Sequence, residues 1–171
     1  MSTAKDYWGL IKTDYSVVTL IIMSIAVVVA TYFEHWSAGY ALMFWFTAFD
    51  ILGYRWVLRR HPEDTAGPAF SNPAYRIIQH GTFFLILLLW IPGMWQASVI
   101  AFILWMTGWC DLAFYWLAKV EPAKEWPWLT TWLWIFPAGA IAKYNKTSVS
   151  LEGLYYNMTF GLILSIGVLW F

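Results

Sequence analysis

Three side chains in this sequence combine acid–base chemistry with a place deep in apolar surroundings: Asp50, His80 and Asp111. A carboxylate at the centre of a bilayer costs about 3 kcal/mol unless it faces the interior of a helical bundle. Both acids are therefore expected to point inward. Two carboxylates brought close together cannot both carry charge cheaply, and one of them is driven towards its protonated form. With an imidazole nearby, such a set is suited to general acid–base catalysis, with Asp50, Asp111 and His80 as the proton-transfer groups. The plainer reading of the same residues is that each acid accepts hydrogen bonds from Tyr, Trp or Thr donors and ties helices together.

The two acids belong to a phrase that the chain states twice. A shift of sixty positions places Trp45 on Trp105, Thr47 on Thr107, Leu52 on Leu112 and Trp56 on Trp116. It also places Tyr15 on Tyr75, Arg59 on Lys119 and Pro62 on Pro122, and the acid alone slips by one residue. Helical spacing puts Thr47, Asp50 and Tyr54 on one stripe, and Thr107, Asp111 and Tyr115 on another. Arg55 lies off the first stripe. It either snorkels to the membrane surface or pairs with an acid on a neighbouring helix. Measured from the nearer helix end, Asp50 lies about 13 Å deep, Asp111 about 12 Å, and His80 and Asn157 about 8 Å. The expected binding set around the acids is thus Tyr54, Tyr115, Thr47, Thr107, Asn157, Trp109 and Arg55. No metal is expected, because the acids and His80 lack any ligand spacing motif. His35 and His61 lie at opposite ends, so neither pairs with His80 across a haem. No cofactor can be named.

The elements that must hold these residues are membrane helices. Hydrophobic residues form 61% of the chain and charged residues only 12%, against about 25% charged in soluble proteins. The expected fold is all-α, a polytopic transmembrane bundle forming one domain over residues 1–171. Helices are expected at 15–32, 37–58, 75–90, 95–118 and 151–171. Ser37 is a candidate N-cap. Turns are expected at Glu34–Trp36 and at Ile91, Pro92 and Gly93, with a loop over 61–74. The first two helices and the next two then form repeated hairpins, about 15–62 and 75–122, related by an axis along the membrane normal. Residues 1–14 read as a surface helix rather than a signal peptide. The apolar run 125–137 is only about a dozen residues, short of the about 20 a span needs, and the segment 125–142 reads as interfacial or re-entrant. Gly153, Gly161 and Gly167 are expected to allow close packing of the last helix.

Charge placement selects the topology. With five spans and the N-terminus in the cytoplasm, all ten Lys and Arg residues fall on the inner side, as the positive-inside rule requires. A sixth span at 126–142 is the alternative, but it would move Lys143 and Lys146 outside. The C-terminus is therefore expected outside the cytoplasm.

Composition excludes little else. The net charge is zero and no basic run suggests nucleic acid. Three functions fit. The first is an enzyme or binding protein for an apolar molecule of isoprenoid, sterol or quinone type, lined by aromatic walls. The second is a non-catalytic, Trp-rich subunit of a larger membrane complex. The third is a small proton-coupled transporter. The expected partners are the bilayer, an apolar small molecule, and either further copies of the chain or other membrane subunits.

Overall fold

The computed structural model describes residues 15–60, 73–118, 125–126 and 137–171, with the backbone alone at 15–17, 53–60, 73–76, 118 and 125–126. The described chain is predominantly helical. Its helices are α1 (Tyr15–Phe33), α2 (Ser37–Arg60), α3 (Pro73–Met106), α4 (Trp109–Ala118), α5 (Pro137–Tyr144) and α6 (Leu151–Gly167). A short 3₁₀ turn, Val168–Trp170, follows α6, and strands β1 (Glu125–Trp126) and β2 (Val149–Ser150) form one antiparallel pair. The expected surface helix at 1–14 and most of the expected 61–74 loop lie outside the described residues.

α1 and α2 form the expected hairpin around Glu34–Trp36. Ser37 does not cap α2 as expected. Its hydroxyl donates back to the Glu34 carbonyl at 2.8 Å, whereas an N-cap oxygen must accept an N–H. The turn is so tight that its own carbonyls serve the first helical amides: Ala38 N–H donates to His35 O and Gly39 N–H to Trp36 O.

α3 is two arms rather than one rod. Met94 leaves helical geometry at φ −140° and ψ 41°, just after Pro92. Ser98 Oγ donates to Leu87 O at 2.8 Å, although eleven residues of straight helix would separate them by about 16 Å. The rings of Phe84 and Trp105 lie 5.2 Å apart, where a straight helix would hold them about 30 Å apart. The chain therefore doubles back, as the Ile91, Pro92 and Gly93 signal predicts.

The second arm departs from expectation. In place of one helix over 95–118, the chain breaks after Met106 and restarts at Trp109. Gly108 takes φ 82°, a left-handed conformation that glycine adopts without a Cβ penalty. Thr107 contributes as well. Its hydroxyl donates to Ile103 O at 2.8 Å and approaches Leu104 O at 3.3 Å, drawing on carbonyls that a continuing helix would use.

Residues 137–150 hold the short helix α5 and strand β2. Pro137 opens α5, where its fixed φ suits the first turn, and Lys143 lies in the last turn, where a cation meets the negative helix end. Glu125 pairs with Ser150 and Trp126 with Val149, so the chain returns at 149 to the place it left at 126. Residues 127–136 lie outside the described residues.

Polarity is distributed inside out. Thr47, Gln79, Thr107, Asn157 and Ser165 are fully buried, while Ile22, Ile25, Val28, Leu88, Leu89 and Ile163 are all more than half exposed. Ile77–Met106 and Leu151–Trp170 are long and apolar enough to cross a membrane. Val18–Phe33 and Ser37–Leu52 are apolar but shorter. Two contacts align the elements at one end: Tyr40 Oη pairs with Ser165 Oγ at 3.1 Å, and Gln96 Nε2 donates to Val168 O at 3.3 Å. The α1–α2 turn, the α3 turn and the end of α6 therefore lie together. Of the three α6 glycines, Gly161 is packed directly against Thr107 and Gly153 is close to Ala138, whereas Gly167 faces open space.

Candidate functional site

The polar interior is assembled from α2, the first arm of α3, and the start of α4. Gln79 Nε2 donates to Asp50 Oδ1 at 3.1 Å. Gln79 is wholly buried, and a hydrogen bond to a charged acceptor contributes about 1.5–3 kcal/mol. His80 is the next residue, about 100° further round the same helix, so it meets a different set of groups. Its imidazole lies edge-on to Phe46 at 5.3 Å and to Trp105 at 6.0 Å. Phe46 and Asp50 are one turn apart on the same stripe of α2. Gln79 and His80 therefore engage neighbouring turns of that stripe.

The second acid sits just beyond the break. Asp111 is in the first turn of α4, where the helix dipole favours negative charge. Cys110 Sγ donates to Asp111 Oδ2 at 3.6 Å. Cys110 also packs against the cluster of Phe46, Phe83 and Trp105. Among the described residues, no three His, Cys, Asp or Glu side chains come close enough to hold one metal ion.

The remaining expected site residues divide. Thr47 and Thr107 turn their hydroxyls onto their own helices, at Met43 O and Ile103 O. Trp109 faces α6, with Nε1 donating to Met158 O at 3.0 Å. Asn157 lies apart from the bond that holds Asp50: its Oδ1 accepts the Ala138 N–H at 3.0 Å and so caps α5. Its Nδ2 is buried and has no hydrogen-bond partner among the described residues. Tyr115 packs edge-on against Phe114 at 5.4 Å. The side chains of Tyr54 and Arg55 lie outside the described residues. Sequence reasoning missed Gln79 and Cys110 as members of the cluster. Each is the immediate neighbour of a residue it singled out, and helical rotation decides which of two neighbours faces a given partner.

The described cavity is elsewhere. It is open, about 280 Å³, and lies between α5, the following turn and the start of α6. Comparison of the chain with family models, curated proteins and solved structures returns no match.

Proposed function

We propose that this chain is a five-span membrane protein that binds or transforms an apolar, lipid-soluble molecule of isoprenoid, sterol or quinone type. In this reading Asp50, Asp111 and His80 exchange protons, and Gln79 holds Asp50 in place. The observation that carries it is the Gln79–Asp50 bond, with a second carboxylate in the first turn of α4, in a molecule that exposes many large apolar side chains. Buried acids at membrane depth are costly and mark sites by default. Here each acid has its own means of support.

The same features support a reading with five spans. α1, α2, the two arms of α3 (the second continued by α4) and α6 each cross once. The Glu125–Ser150 pairing supports the count, since a single crossing between 126 and 149 would separate those residues by the bilayer. The clustered turns at Glu34–Trp36 and Met94–Gln96 hold no Lys or Arg, which favours an orientation with them and the C-terminus outside and the N-terminus in the cytoplasm. The hairpins are duplicated units. Trp45 Nε1 donates to Ser24 Oγ at 3.1 Å, and Trp105 meets Phe84, so the same pair of positions, sixty residues on, is again in contact.

The test is ligand-dependent thermal stabilisation of the purified protein in detergent, against a panel of isoprenoid, sterol and quinone compounds. A shift confined to one class supports the reading. The competing reading, a non-catalytic subunit, is favoured by Trp36, Trp95, Trp116 and Trp170, all exposed. It predicts no shift with any compound and co-purification with a stoichiometric membrane partner.

A further inference from the structure

The open cavity at the α5–α6 end has a chemistry of its own. Its wall carries the hydroxyls of Thr147, Ser148 and Ser150, the carboxylate of Glu152, the phenol of Tyr156 and the apolar side chain of Ile141. Two exposed cations adjoin the lining residues in sequence: Lys143, in the last turn of α5, follows Ala142, and Lys146, at φ 55°, precedes Thr147. At about 280 Å³ the cavity falls just below the roughly 300 Å³ at which pockets for drug-sized ligands begin. It suits a polar head rather than a whole hydrophobic ligand.

The charges select the head. Glu152 on the wall opposes a simple anion, and the exposed Lys143 and Lys146, each next in sequence to a lining residue, oppose a simple cation. A group with both signs satisfies both. Lysine and hydroxyl donors suit a phosphate. A carboxylate beside a Tyr face suits an ammonium, through charge and cation–π attraction. The surroundings supply the source: Ile141, Tyr144 and Tyr156 are all strongly exposed, and Tyr is enriched at the membrane–water boundary.

We propose that this cavity binds the headgroup of a zwitterionic phospholipid, with phosphate towards Lys146 and Ser150 and ammonium towards Glu152 and Tyr156. The proposal rests on the membrane reading for its location and is independent of the Asp50–Asp111 site. The experiment uses the full chain in detergent and measures binding of phosphatidylethanolamine and phosphatidylglycerol, each added singly, by native mass spectrometry. Soluble glycerophosphoethanolamine and inorganic phosphate are measured by calorimetry. The wild type should favour phosphatidylethanolamine over phosphatidylglycerol by about fivefold, the scale of one exposed ion pair. Glu152→Gln, at an exposed position, should erase that preference, and Lys146→Gln should weaken both lipids. Binding of glycerophosphoethanolamine would show that the headgroup alone suffices, and binding of the lipid only would assign the source to the bilayer. Equal binding of the two lipids by the wild type, an unchanged preference in Glu152→Gln, or inorganic phosphate binding as well as the zwitterion overturns the proposal. Failure here leaves the ligand-panel result untouched, because that panel contains no phospholipid.

Discussion

The two copies of the repeated phrase begin alike and end differently. In each, a fully buried threonine donates to the carbonyl four residues back, Thr47 to Met43 and Thr107 to Ile103. The next residue is Ala48 in one copy and Gly108 in the other. α2 runs straight through Ala48, whereas the chain turns left-handed at Gly108 and begins a new helix. The acids are then supported in different ways. Asp50, in mid-helix, takes an amide from Gln79 on a neighbouring helix. Asp111, in the first turn of α4, lies at the positive end of its own helix. Ala48 and Gly108 differ by one methyl group, and the acids that follow them stand in different environments.

The comparison can be broken at several points. The largest effect is expected at Gly161, where an added Cβ would land on Thr107. Gly161→Ala should destabilise the protein by about 3 kcal/mol through overpacking against the break, measured by thermal unfolding in detergent. A neutral result would mean that the break is not held by α6. Next, a double-mutant cycle of Gln79→Leu and Asp50→Leu should give a coupling of about 2 kcal/mol. Additive losses would show that Asp50 does not depend on that amide. Gly108→Ala should cost about 1.5 kcal/mol, because alanine must enter a left-handed conformation. The converse change, Ala48→Gly, should cost about 1 kcal/mol for a different reason, the lost helix propensity. If Gly108→Ala were instead stabilising, the second copy would be a continuous helix like the first.

Much of the framework was legible because it depends on local signals. The Ile91, Pro92 and Gly93 punctuation marked the reversal that the Ser98–Leu87 bond demonstrates, and the start of α6 fell where polar Ser150 gives way to an apolar run. What was not legible depends on a single torsion or a single step of rotation. Thr107 and Gly108 inside an apolar run read as helix, since a glycine there is tolerated until its φ is known. His80 and Gln79 share one depth, and only the phase of α3 decides that Gln79 meets Asp50. Asn157 was grouped with the acids by depth alone, yet a backbone amide of α5 claims it. That helix was itself unforeseen, because the eight residues Pro137–Tyr144 are too few to show a periodic pattern.

The central claim is that the acids of the two copies act together on a ligand in the interior, and the most direct measurement replaces each with its neutral amide. For whichever lipid-soluble compound stabilises the wild type, Asp50→Asn and Asp111→Asn should each abolish the ligand-dependent thermal shift while leaving a folded, monodisperse protein. Asparagine keeps the size and most of the hydrogen bonding, but it cannot take up or release a proton. An undiminished shift in both variants would contradict the account and leave the carboxylates as structural groups, in which case removing a buried charge should be tolerated or even stabilising.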